Sequence, residues 1–215
     1  MAMVMLVGTL NRVMIVEMGV PTSLVSFMVA LPLLIAPFRA LIGFQSDHHR
    51  SHLGWRRVPY IWMGTLMQFG GFSIMPFALL VLSGAGQSSD APQWVGQFGA
   101  AVAFILVGVG MHTTQTAGLA LATDLAPQDK QAKVVGLMYV MQLLGMMGSA
   151  LLLGDLLADY SPGTLIRVVQ AVALVTLVLN VIAVWKQEAR SRQRPPGSPL
   201  EESFQNSWKM FCEGP

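Results

Sequence analysis

The densest set of polar side chains inside an apolar stretch is His112-Thr113-Thr114-Gln115-Thr116. Polar groups at membrane depth are costly and are candidates for function by default. His112, Gln115 and Thr116 share one helical face, with Gly108 a turn earlier leaving room above the imidazole. A neutral imidazole ligates a metal through one ring nitrogen, including a metal held in a macrocycle. The alternative is a histidine that hydrogen-bonds a neighbouring helix, as polar side chains in bundles commonly do.

Three further groups carry charge. Arg12 and Glu17 can pair near the end of the first apolar run, with Asn11 beside them. An ion-paired glutamate or an asparagine offers oxygen to a magnesium, and the plainer alternative is an interfacial ion pair. Arg39 lies about five residues before the end of its run, so it either snorkels to the surface or turns inward to meet Asp124. The loop from Gly43 to Arg57 holds Asp47, His48, His49 and His52. Structural zinc sites prefer ligand pairs spaced across a turn, usually with cysteine, so a solvated basic loop is expected instead. Cys212 is the single cysteine, which excludes an intrachain disulfide. No phosphate loop, H-E-x-x-H, G-x-S-x-G or G-x-G-x-x-G occurs, and nothing points to an enzyme.

These side chains need a scaffold, and composition says which kind. Hydrophobic residues make up 53% of the 215 and charged residues 11%, where soluble proteins carry about 25% charge. Such a chain cannot build a charged skin, so its apolar surface faces lipid. The net charge of +2 and pI near 8.9 do not mark a nucleic-acid binder, because the basic residues sit between the apolar runs. An all-α membrane protein with about six transmembrane helices is expected. The runs are Met1 to about Glu17, then 23–44, 59–82, 96–125, 134–157 and 164–185. The second is roughly 33 Å long as a helix, enough for a hydrocarbon core of about 30 Å. Met1–Leu10 lacks a basic segment before it and a cleavage site after it, so no signal peptide is expected.

Arg50, Arg56 and Arg57, then Lys130 and Lys133, then Lys186, Arg190, Arg192 and Arg194 fall on one side of the membrane. That side is cytoplasmic by the positive-inside rule, and both ends of the chain join it. Trp55, Trp62, Trp94 and Trp185 fall near span ends, as amphipathic rings do. Gly64, Gly70, Gly71, Gly108, Gly110, Gly145 and Gly148 lie inside spans and read as bundle packing, with Gly145 and Ser149 a small-xxx-small pair. The expected organisation is a bundle over 1–186 and a cytoplasmic linker over 187–215. In that linker Ser198-Pro199-Leu200-Glu201 starts an amphipathic interfacial helix with Leu200, Phe204, Trp208 and Phe211 on one face. The chain reads either as part of a longer polypeptide or as a short protein in its own right.

Gly43, Asp47 and Arg56-Arg57 resemble the Gly-x-x-x-Asp-Arg-x-x-Arg-Arg loop of the major facilitator superfamily, with His48 in place of an arginine and the basic pair late. A closer likeness covers nearly the whole chain. Gly8-Thr9-Leu10-Asn11-Arg12-Val13-Met14-Ile15-Val16-Glu17, Pro37-Phe38-Arg39-Ala40-Leu41-Ile42-Gly43, Gly54-Trp55-Arg56-Arg57-Val58-Pro59-Tyr60-Ile61-Trp62, Gln115 through Pro127 and Trp185 through Arg190 resemble the PucC/LhaA family of light-harvesting assembly proteins. The resemblance implies the N-terminal half of a facilitator-type fold in a photosynthetic, intracytoplasmic bacterial inner membrane. It implies handling of bacteriochlorophyll, with antenna polypeptides and a reaction centre as partners, and a second half or second copy. Asn11, Arg12 and Glu17 resemble a pigment motif, and His112 and Gln115 stand in a family-typical stretch. The rival readings are a permanent accessory subunit beside an antenna ring and a secondary transporter using His112, Gln115, Arg39 and Asp124.

Overall fold

A computed structural model describes residues 1–48, 54–84 and 92–188, and among these it is helical with short connections and no strand. Helix α1 covers residues 4–17. It runs as π-helix over Val4–Thr9 and Val13–Glu17, with an α-helical turn at Leu10–Arg12 between them. Helices α2 (Thr22–Leu34) and α3 (Arg39–His48) form one span broken by a 3-10 turn at Ala36–Phe38. Proline explains the break. Pro32 and Pro37 lack the N–H that would continue the ladder, and each ring crowds the carbonyl four residues back. Next come α4 (Val58–Ser83), α5 (Gln93–Leu125), α6 (Gln131–Leu156) and α7 (Pro162–Val184).

The ends obey local chemistry. Gly84 closes α4 at φ 63°, a left-handed conformation open to glycine. Pro127 stops α5, because the residue before a proline leaves the helical region. Ser161 caps α7 by accepting the Thr164 N–H at 3.0 Å, with Pro162 at the first helical position.

Five spans, Thr22–Asp47 and the four that follow, are long and apolar enough to cross a bilayer. The sixth expected run is α1, whose residues 4–17 reach about 21 Å at the α-helical rise. The observed spans fall within a few residues of the expected ones. At 33 residues α5 is the longest, about 50 Å. The linker helix expected near Ser198–Phe211, Cys212, and His49 to Leu53 lie outside the described residues.

The tightest contact is α4 on α5, and glycine makes it. A Cβ on Gly64 would stand 2.7 Å from the Gly110 carbonyl oxygen, and one on Gly71 2.8 Å from that of Ala103. Without a hydrophobic drive between helices in lipid, such close backbone approach is what holds them. Gly70, Gly145 and Gly148 do not share this role, since a Cβ there meets nothing within 4 Å. Ser149 bonds only back to Gly145 O, so that small-residue pair packs no neighbouring helix through its glycine. Phe72, Met75, Phe104, Leu10 and Val169 belong to the main core, while Ile61, Ala117 and Leu121 form a smaller cluster near the start of α4 and the end of α5. Helix α6 buries only Ser149 and Leu153, and turns Leu143, Met147 and Leu151 outward.

Candidate functional site

Four constellations emerge. The first joins the C-terminal ends of α3, α5 and α7 to the start of α4. Arg57, just before α4, is buried. Its Nε–H donates to Asp124 Oδ2 at 3.0 Å, its Nη1 donates to Ser46 Oγ at 2.9 Å, and it pairs with Asp47. Arg56 Nη2 reaches the same Asp124 oxygen at 3.1 Å. Asp124 is therefore partnered by Arg56 and Arg57, not by Arg39 as one reading of the sequence had it.

Glu188 completes this cluster, and sequence reasoning gave it no role. Its carboxylate accepts the backbone N–H groups of Arg56 at 2.7 Å, Arg57 at 3.1 Å and Val58 at 3.0 Å. A helix start leaves N–H groups unpaired and carries partial positive charge, so an anion belongs there. The available signal was negative: Arg57 is no capping residue, so α4 had to find its cap elsewhere.

The second constellation is the seam between α2–α3 and α5. His112 Nε2 lies 3.1 Å from the Pro32 carbonyl oxygen. A carbonyl only accepts, so Nε2 carries the proton. Nδ1 is buried and has no partner among the described residues. One turn on, Arg39 donates to Gln115 Oε1, and Thr116 packs against Gly43. Arg39 thus turns inward rather than snorkelling. The room expected above the imidazole is filled, because a Cβ on Gly108 would stand 2.6 Å from Pro32 Cβ. An axial ligand must face an open disc of space. His112 is buried and Pro32 fills the Gly108 notch a turn away, so the space beside the imidazole does not fit a tetrapyrrole. Nearby, Gln68 Nε2 donates to Thr114 Oγ1 at 3.0 Å and Asn180 Nδ2 to Thr65 Oγ1 at 3.0 Å, stitching α4 to α5 and α7.

The third lies between α1 and the end of α6. Arg12 and Glu17 approach to 4.0 Å beside a cavity of about 210 Å³ that also meets Gly8, Gly154 and Tyr160. Asn11, expected with them, is not among its lining residues. Burial, and secondly the Glu17 carboxylate, push the Tyr160 phenol above its ordinary range. A carboxylate suits magnesium, but the cavity falls below the roughly 300 Å³ at which pockets for drug-sized ligands begin. It does not enclose a tetrapyrrole ring.

The fourth is an open apolar groove of about 590 Å³ on the N-terminal half of α4, lined by Pro59, Trp62, Leu66 and Gly70 and by Leu106 of α5. Its size lies inside the ligand-pocket range. None of its lining residues bears a charge. Among the described residues no cluster of His, Cys, Asp and Glu could hold a free metal ion.

Comparison with known proteins agrees with the long motifs. The chain is 63% identical over 219 residues to Protein PucC of Rhodovulum sulfidophilum, covering 100% of this chain and 48% of that protein. It is 66% identical over 194 residues to Protein PucC of Rhodobacter capsulatus, covering 90% of this chain and 42% of the relative. A more distant relative, the bacteriochlorophyll synthase 44.5 kDa chain of Rhodobacter capsulatus, is 27% identical over 209 residues, covering 95% of this chain and 46% of its own length. The chain spans about half the length of the curated relatives it matches. No solved structure matches it. The family model described as PUCC protein matches residues 9–215, and with these identities the chain belongs to the PucC family.

Proposed function

We propose that this chain is the pigment-handling half of an assembly factor for bacterial light-harvesting complexes, with no reaction step of its own. Membership of the PucC family is the observation that carries the reading. The α4 groove supports the pigment part: it is apolar, of suitable volume, and offers the Trp62 ring for stacking. Bacteriochlorophyll, when bound, supplies light absorption and asks only for burial and orientation. Trp62, Leu66 and Leu106 bury one face of it, and Gly70 leaves the ring edge room. Helix α6, bare along most of its length, presents Met138, Met141 and Met147 to single-span antenna helices. Flexible thioethers adapt to varied partners. The protein would work in the photosynthetic inner membrane beside the reaction centre, both ends cytoplasmic by the positive-inside rule.

The test is far-red absorption of protein purified from pigmented membranes, with antenna assembly followed in the same strains. Trp62→Ala combined with Gly70→Leu should remove bound pigment and slow assembly, while His112→Ala should retain pigment. Pigment-free protein from the wild type, or assembly unchanged in the groove variant, would defeat the reading.

A second reading, facilitator-type transport, draws on one observation: Arg39, a permanent cation, is held at membrane depth by a neutral partner. Proton-coupled uptake into liposomes, lost in Arg39→Gln, would favour it over assembly.

A further inference from the structure

The cavity between α1 and α6 serves none of the roles above. Its lining changes character along its length. Arg12, Glu17 and Tyr160 stand at one end, and Val4 and Ala150 line the other. By the positive-inside rule the polar end faces the outer membrane surface. On α1 the lining runs from residue 4 to residue 17, at most about 20 Å of helix. A polar head over an apolar trough is the shape of an amphiphile.

The polar end offers two opposite charges. Arg12 and Glu17 lie 4.0 Å apart, the outer limit of an ion pair, and the Arg12 side chain is 59% exposed. Both groups keep donor and acceptor capacity for a third party. The trough is open as well: a Cβ on Gly8 or Gly154 would meet nothing within 4 Å. Val4, Val13, Leu153 and Leu157 line it with apolar carbon, which suits an acyl chain.

We propose that this cavity binds one zwitterionic phospholipid, its phosphate on Arg12, its ammonium on Glu17 and an acyl chain between Gly8 and Gly154. An anionic headgroup satisfies Arg12 but meets repulsion from Glu17. A tetrapyrrole is a rigid disc that this narrow space does not enclose, whereas a phospholipid lays one chain along it and keeps its second chain outside. A free metal ion finds one carboxylate beside an arginine, which repels it. The inference stands apart from the pigment reading, which uses the α4 groove on other residues.

The experiment is native mass spectrometry of the full chain released from detergent, with palmitoyl-oleoyl phosphatidylethanolamine and the matching phosphatidylglycerol as competing probes. One retained phosphatidylethanolamine per chain is expected, favoured over phosphatidylglycerol by roughly threefold to fivefold, the scale of one partly exposed charge contact. Glu17→Gln should erase that preference while lipid still binds. Gly154→Leu and Gly8→Leu each fill the trough without backbone conflict, and both should lose the lipid. Should one variant fail to fold by circular dichroism, the other and Glu17→Gln still decide. Equal retention of both lipids by the wild type would overturn the headgroup assignment. Undiminished binding in both leucine variants would overturn the site. Glycerophosphoethanolamine competing as well as intact lipid would overturn the acyl chain.

Discussion

Arg57 donates its Nε–H to Asp124 at 3.0 Å, and that bond fastens the start of α4 to the end of α5. Arg57 is buried while Asp124 is partly open to water. The two partners therefore differ in what their loss leaves behind.

Removing the acid strands a buried cation. Breaking a buried pair from one side costs about 3–5 kcal/mol in general, and here Asp47 and Ser46 still hold Arg57. Asp124→Asn should thus cost less, about 1–3 kcal/mol. Asp124→Asn combined with Asp47→Asn should exceed the sum of the single losses, because only the pair strands Arg57 fully. Thermal unfolding in detergent across this double-mutant cycle checks it, and simple additivity would contradict the shared contact.

Glu188→Ala should lose the cap on α4, about 0.5–2 kcal/mol. Glu188→Gln should recover part of it, since an amide oxygen still accepts an N–H. Hydrogen exchange at Arg56, Arg57 and Val58 gives the site-specific readout. Protection unchanged in Glu188→Ala would remove Glu188 from this role.

The α4–α5 contact predicts a contrast among glycines. Gly71→Ala forces a methyl against the Ala103 carbonyl and the Val107 side chain, an overpacking that costs about 1–3 kcal/mol. Gly145→Ala and Gly148→Ala meet open space and should be neutral or stabilising by up to about 1 kcal/mol through helix propensity. Melting temperatures of the three variants decide.

Tyr160 gives a pH test. Its phenol is held above the ordinary tyrosine value by burial and by Glu17. The folded state keeps its proton where the unfolded state has lost it, so this contribution is intact below pH 10 and fades as pH rises through the folded value. Tyr160→Phe should flatten the alkaline decline in stability. Glu17→Gln should lower the phenol's titration midpoint toward the ordinary value, read by phenolate absorbance against Tyr160→Phe as the blank.

The spans were legible because length and hydropathy report directly on a lipid surround, and proline and glycine marked most of their ends. Partner choice was less so. Arg39 was readable as inward or outward, but whether it meets Asp124 or Gln115 depends on how far α3 slides along α5. Gly108 looked like room for a ligand because a missing side chain reads the same whether the space stays open or a proline ring fills it. Glu188 escaped notice because its partners are backbone N–H groups about 130 residues away, which no side-chain pattern announces. Arg12 and Glu17 were paired correctly, though five positions apart they meet where this stretch winds as π-helix, while the α6 wall of the trough beside them leaves no mark in the α1 sequence.

The length of α5 has one more consequence. A helix of about 50 Å in a hydrocarbon layer of about 30 Å must tilt steeply or stand proud of it. Asp124 is its penultimate residue, so any overhang lifts the arginine knot off the headgroups and into the aqueous phase. There ions within a Debye length of about 8 Å weaken it at physiological strength. The rim of this bundle would then loosen as salt rises, while its lipid-embedded packing stayed indifferent to the same change.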